Sequence, residues 1–287
     1  MSQVVLITGT SSGFGSLAAP LLASKDHRVY ATMRHTNGIN SEAAKALTAH
    51  PNITVLELEM ADTAGNQAAV QTVIEREGRI DVLINNAGSF HMGIGESFTE
   101  DDLLHIYNVD VLGPWRAIRA VLPHMRRQKS GYIITVSSSL ARFSCPFMTA
   151  YASGKHALEG LLQGMKYELK GFNIDFSFIE PGIYPTQVFN KSGRGSDRAI
   201  NAAYGPLSNM ADDIKGMLDQ LFSSGHANDP MLVARAMVDL IESKPGTRPI
   251  RLPVDPNAGD ITNRINTVHE EEYVKFLRAS GMGNLVE

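Results

Sequence analysis

Apolar residues in the first part of the chain come in short dense runs, separated by longer stretches with helical spacing. Val4-Val5-Leu6-Ile7 ends at Thr8-Gly9; four residues rich in β-branched side chains are too few for a buried helix and read as a strand. Residues 14–24 then predict a helix with Leu17, Ala18, Leu21 and Leu22 on one face. Further strands are expected at 28–33, 53–58, 82–84, 132–136 and 174–179, with helical patterns between them at 41–50, 62–77, 101–128 and 152–170. Strands apolar throughout, alternating with amphipathic helices, predict an α/β fold: a doubly wound parallel sheet flanked by helices on both faces. No repeat, low-complexity segment or linker divides the chain, so residues 1–287 are expected to form one domain.

The rhythm changes after Ile179-Glu180-Pro181-Gly182. Residues 183–228 are rich in Gly, Ser and Asn, with one helical pattern at 212–222, and an excursion of that size predicts a substrate lid. A helix at 231–242, a strand around 249–253 and an amphipathic helix at 260–279 complete the chain, with Glu270-Glu271-Glu272 expected to face water.

Composition narrows the function classes. With 26 Lys+Arg against 30 Asp+Glu the formal charge is −4, which gives no basic footprint for nucleic acid. The single cysteine, Cys145, excludes an internal disulfide and suits a reducing compartment. No apolar run approaches the ~20 residues of a membrane span and no secretory leader pattern is present, so a cytoplasmic protein is expected. The nine histidines show no metal-ligand spacing, and no metal is expected.

Candidate chemistry begins at the first strand-to-helix turn, Gly9-Thr10-Ser11-Ser12-Gly13-Phe14-Gly15. Glycines there permit a sharp turn and close approach of the backbone to a pyrophosphate, whose charge the helix N-terminus stabilises. Asn85-Asn86-Ala87-Gly88 follows the fourth strand, three serines (Ser137, Ser138, Ser139) end the fifth, Tyr151-x-x-x-Lys155 follows, and Pro181-Gly182-x-x-x-Thr186 succeeds the sixth. In this order and spacing the chain resembles the short-chain dehydrogenase/reductase family, from residue 4 to about 186. The resemblance implies a Rossmann-type fold and a nicotinamide cofactor held by residues 9–15, Met60, Asn86, Ala87, Gly88, Tyr151, Lys155, Pro181, Gly182 and Thr186. It also implies a homo-oligomer, a dimer or tetramer, with the helical stretch carrying Leu112, Trp115 and Met125 either at a subunit contact or in the core.

Which cofactor is preferred turns on the end of the second strand. A carboxylate there would hold a ribose and repel a 2′-phosphate; here Met33 is followed by Arg34, a permanent cation suited to a phosphate. NADP(H) is therefore expected in preference to NAD(H). The adenine-side positions Glu59-Met60 depart from the family's usual Asp followed by a small apolar residue.

Tyr151 and Lys155, four apart, share one helix face. A free phenol is a poor acid–base catalyst near neutral pH, and an ammonium one turn away stabilises its charged form. The family's catalytic serine lies 13 residues before the tyrosine, which favours Ser138 over Ser137 and Ser139, with its hydroxyl on the substrate oxygen. The family's Asn, three residues before a helix glycine, is replaced by Asp110, with Asn108 two residues earlier as the alternative; Asp110 is ranked first because a main-chain carbonyl role survives the change. Substrate walls are expected from Leu140, Phe143, Phe147, Tyr184, Val188 and Phe189, predicting a bulky apolar alcohol, ketone or aldehyde as in the hydroxysteroid and retinol dehydrogenase branch. The rival readings are a nucleotide-sensing regulator without turnover and an NAD-recycling epimerase or dehydratase. Intact Ser138, Tyr151 and Lys155 argue against the first, and Arg34 argues against the second.

Overall fold

In the computed structural model, which describes residues 2–286, seven short strands form one sheet: β1 (Val4–Thr8), β2 (Arg28–Met33), β3 (Ile53–Glu57), β4 (Val82–Asn85), β5 (Gly131–Val136), β6 (Ile174–Pro181) and β7 (Arg251–Val254). All pairings are parallel and the order is β3-β2-β1-β4-β5-β6-β7. Parallel strands require crossovers, and these are α1 (Gly13–Ser24), α2 (Ser41–Thr48), α3 (Thr63–Glu77), α4 (Glu100–Asp110), α5 (Leu112–Gln128) and α6 (Thr149–Leu169). Between β6 and β7 lie α7 (Gln187–Asn190), α8 (Arg198–Ala203), α9 (Met210–Ser223) and α10 (Met231–Glu242), and α11 (Gly259–Ala279) follows β7.

The strands carry apolar residues at consecutive positions because both faces are covered. Val5, Ile7, Val29, Ala31 and Ile134 pack under α1 and α10 with Leu22, Val233 and Met237. Their neighbours in sequence, Leu6, Tyr30, Leu83 and Ile133, point the other way, into a core closed by α3, α5 and α6 through Val73, Val121, Met125, Leu158 and Leu162. Met125 is therefore an inward core residue, while Leu112 is 42% exposed. The architecture is the doubly wound, Rossmann-type sheet that the alternation predicts.

Three local expectations are corrected. The stretch 101–128 is two helices, not one: Val111 (φ −113°, ψ −60°) interrupts it between Asp110 and Leu112. The cause is Pro114, which has no N–H to offer the Asp110 carbonyl four residues back. The segment after β6 holds three helices rather than one, since α7 and α8 precede α9. Glu270 is partly buried, unlike Glu271 and Glu272; it accepts a hydrogen bond from the Tyr167 hydroxyl at 3.0 Å and lies 3.7 Å from the Arg251 guanidinium. Among the described residues, no helix is long and apolar enough to cross a membrane.

The inner core makes a direct prediction. Leu162 is fully buried between α6 and the sheet, so Leu162→Ala should cost about 2–5 kcal/mol through lost transfer energy and a residual cavity. Thermal unfolding would show this as a clear drop in Tm; an unchanged Tm would contradict the packing described.

Candidate active site

The order reverses between β1 and β4, and the loops beyond their carboxyl ends meet there. Thr8 closes β1, and its Oγ1 accepts from the backbone N–H groups of Asn86 (3.0 Å) and Ala87 (3.1 Å). The Asn86 amide answers by donating to the carbonyls of Thr8 and Gly9, both at 2.9 Å. Gly9 takes φ +72°, and a Cβ there would sit 2.7 Å from the Ala87 Cα, so only glycine lets the two loops touch. Gly15 is similarly confined, 2.6 Å from the Asn86 amide for an added Cβ.

Helix α1 opens from this turn with its N-terminal N–H groups uncommitted. Ser12 makes no side-chain cap hydrogen bond, and no acidic residue lies in the first turn. A helix start with free donors and no competing carboxylate fits a pyrophosphate. Thr186, beyond β6, lies against Gly13, 3.7 Å from a Cβ added there, so the second and third candidate cofactor segments border the same turn. Met60 is buried in a small cluster with Leu58 and Ala69, against Ala87.

Arg34 stands at the carboxyl end of β2, exposed, with its Nη1 3.3 Å from Glu59 Oε2. The departure at Glu59 thus supplies the partner of the cation expected to read a phosphate. Both side chains are largely in water, so the pair adds little stability and a phosphate can compete for the guanidinium.

Ser138 follows β5 in extended backbone, and its Oγ accepts from the Leu140 N–H at 3.1 Å. On α6, Tyr151 and Lys155 share a face, with the Lys155 Nζ 5.7 Å from the centroid of the Tyr151 ring. Lys155 is 6% exposed and donates to the Val136 carbonyl at 3.2 Å, two residues before Ser138. The lysine therefore joins the helix bearing the phenol to the end of the strand leading to the serine. His156, next to it, is an exposed helix residue whose Nδ1 lies 2.9 Å from the Ala152 carbonyl.

Asp110 is buried at the end of α4, and its carboxylate accepts from the Ser89 N–H (2.7 Å) and Ser89 hydroxyl (2.6 Å). A Cβ added at Gly88 would lie 3.4 Å from Asp110 Oδ1 and 3.7 Å from Lys155 Nζ, so carboxylate and ammonium flank one point beside the β4 loop. Burial pushes the Asp110 carboxyl above its ordinary range, opposed by the Lys155 ammonium and the two Ser89 hydrogen bonds. Asn108 is engaged elsewhere: its side-chain and main-chain oxygens both accept from Arg116. Asp110, not Asn108, is the α4 residue beside Lys155.

Over Tyr151 lies an apolar wall. The Phe90 ring meets the Tyr151 ring edge-on at 4.8 Å, Phe189 follows at 4.7 Å from Phe90, and Phe222 stands 5.3 Å from Phe189. Met92, Phe147 and Val188 belong to the same cluster. Phe147, Val188 and Phe189 were expected there. Phe90, Met92 and Phe222 were not, although apolar residues alternating directly after Asn85-Asn86-Ala87-Gly88 were a usable signal. Phe143 is 37% exposed, and neither it nor Leu140 joins this cluster. Tyr184 is a correction. It is buried in the core, stacked edge-on against Phe14 at 5.5 Å, with its hydroxyl donating to the Val254 carbonyl at 2.9 Å. Burial pushes that phenol up to about 12, so it is neither exposed to substrate nor available as a proton donor near neutral pH.

The segment after β6 is fastened along one edge. Residue 193 bridges His91 in parallel, with Met92 N–H donating to the Gly193 carbonyl at 3.0 Å and Gly193 N–H to Phe90 at 2.9 Å. Ser196 donates through N–H and hydroxyl to Asp102, both at 2.8 Å. Burial opposes ionisation of Asp102, but the hydrogen bonds from Ser196 and Thr99 outweigh it and bring the carboxyl down to about 2.

Residues 3–197 match the family model described as short chain dehydrogenase. A 3-ketodihydrosphingosine reductase of Bacteroides thetaiotaomicron is 33% identical over 213 residues, 73% of this chain and 72% of that protein. The human 17-beta-hydroxysteroid dehydrogenase type 1 is 39% identical over 194 residues, which cover 66% of this chain and only 58% of the human protein. The solved structure of ElxO with NADP bound superposes with TM-score 0.71 at 25% identity, covering 89% of this chain and 98% of that one. With the glycine turn, the Asn86 link and the Tyr151–Lys155 face in place, the chain belongs to the short-chain dehydrogenase family.

Proposed function

We propose that this chain is an NADP(H)-dependent oxidoreductase interconverting an alcohol and a ketone or aldehyde on a bulky, largely apolar substrate. The observation that carries the reading is the position of Lys155: buried, bonded to the end of β5, beneath the Tyr151 ring and beside the β4 loop. The fold alone would not assign an activity; this local arrangement supports one. The NADP-bound relative ElxO and the steroid and sphingoid names of the sequence relatives support the cofactor class and the apolar substrate.

The residues present fit a dinucleotide. The free N–H groups at the start of α1 would hold the pyrophosphate, Arg34 a 2′-phosphate, and Lys155 the nicotinamide ribose. Bound there, the nicotinamide would supply or accept the hydride at the carbonyl carbon. Tyr151 exchanges the proton with the substrate oxygen, and the Ser138 hydroxyl donates to that oxygen as charge builds on it. The Lys155 ammonium stabilises negative charge on the phenol oxygen while the proton is away. Asp110, held by Ser89, stands next to that ammonium across Gly88. Because Pro114 leaves the Asp110 carbonyl without a helical donor, that oxygen is free to accept a hydrogen bond from water. Phe90, Met92, Phe147, Val188 and Phe189 form a dry wall against the substrate's apolar body, with residues 183–228 serving as its lid.

Two measurements test this reading. Tyr151→Phe should lower kcat by at least about a hundredfold, the scale of a lost general acid–base, with cofactor binding, read by fluorescence of the reduced nicotinamide, within a few-fold of wild type. Retained turnover would remove Tyr151 from the chemistry. Arg34→Ala should weaken NADPH binding about tenfold or more, the loss of one charge-assisted contact, and leave NADH binding nearly unchanged; equal losses would show that Arg34 does not read the phosphate.

A further inference from the structure

Four elements around Ser138 converge on a buried group of two carboxyls and two guanidiniums that the mechanism above does not use. Glu159 comes from α6, Glu180 from the end of β6, Arg142 from the turn after Ser138, and Arg251 from β7. Their side chains are 1%, 0%, 9% and 3% exposed. Arg142 donates to Glu159, Arg251 Nε donates to the same carboxylate at 2.9 Å, and Arg142 Nε lies 3.4 Å from Glu180. The cluster grips the serine turn on both sides. Before Ser138, the Ser137 hydroxyl donates to Glu159 at 2.6 Å; after it, Arg142 closes on Glu159.

The far side of the cluster is α11, which lies beyond the stretch matched by the family model. Asn266 donates to Glu180, and Glu270 faces Arg251. Burial and the neighbouring Glu159 carboxylate push the Glu180 carboxyl up, opposed by Asn266, Arg142 and Arg251. Of the other titratable groups here, burial and Arg251 push His269 down, and Lys166, also pushed down by burial, is opposed by Glu270. Ion pairs this deeply buried are commonly no better for stability than apolar side chains of equal volume. What they provide is directional contact with fixed geometry.

We propose that Glu159 is a positioning residue for Ser138, and that the Glu159–Arg142–Arg251–Glu180 cluster carries the seating of α11 to the catalytic serine. The inference rests on Ser138 acting as assigned above. Glu159 holds Ser137 on one side of Ser138 and Arg142 on the other, and so restrains the turn that carries it. Glu180, which precedes Pro181-Gly182, holds the start of the opposite loop from the same point. Asn266 fixes Glu180, so a shift of α11 is felt at both loops bordering the cleft.

Ser137→Ala deletes one hydroxyl and little volume, and is the primary test. Its kcat should fall about tenfold, the scale of a small misplacement of a reacting group, while KM and the NADPH dissociation constant stay within twofold. Glu159→Gln, which also removes the charge facing Arg142 and Arg251, should lower kcat at least as much, and the double variant should lose less than the two singles combined, because the Ser137–Glu159 contact is common to both. Asn266→Leu should speed amide hydrogen exchange across residues 137–142, including the Leu140 N–H bonded to Ser138 Oγ. Ser137→Thr, which restores the donor, should recover kcat. A folded Ser137→Ala with wild-type kcat and wild-type exchange would overturn the proposal, as would losses that add in the double variant. If the wild-type protein turned over no alcohol or carbonyl compound, the functional reading would fail; the exchange comparison would still decide whether the cluster orders the serine turn.

Discussion

The hydrogen bonding of Asn86 to Thr8 is the contact on which the rest of the cleft depends. It ties the end of β1 to the loop after β4 by four bonds, all donated by Asn86 and Ala87 to oxygens of Thr8 and Gly9. One side of that link sets the glycine turn and the open start of α1. The other sets Ala87 and Gly88, against which Asp110 and Lys155 are placed. A parallel sheet brings all these loops to one edge, but it does not fix their separation. The Thr8–Asn86 link does, and so holds the glycine turn and the Asp110–Lys155 side of the cleft in a common frame.

Much of this was legible in the sequence because the relevant signals are local. Apolar runs of four to six residues marked the strands, and Tyr151 and Lys155 share a face whenever their segment is helical. Asp110 was separable from Asn108 by spacing, and the structure gives the physical counterpart: Arg116 engages Asn108 while Ser89 engages Asp110. What was not legible depends on tertiary contact. Tyr184 follows the Pro181-Gly182 motif as a wall residue would, yet its ring fills a core gap beside Phe14. Glu270 sits in a run of three glutamates that reads as a solvated face, and only the arrival of Tyr167 and Arg251 turns it inward. The break at Val111 had a visible cause in Pro114, but the apolar pattern on both sides of it masked the signal.

The electrostatics divide into two kinds. Arg34 and Glu59 meet in water, where the pair contributes little and exchanges partners readily. Asp110 with Lys155, and the cluster around Glu159, are removed from water, where charges must be matched and neighbours hold them in fixed directions. The first kind suits recognition of a ligand that comes and goes; the second suits geometry that must persist through turnover.

Tyr184 has a mechanical consequence. With its ring wedged against Phe14 and its hydroxyl tied to Val254, the chain just past Pro181-Gly182 travels with the core. Any swing of the downstream wall carrying Val188 and Phe189 must therefore be hinged between this anchor and the second one at Gly193, which leaves only a short span of chain to give.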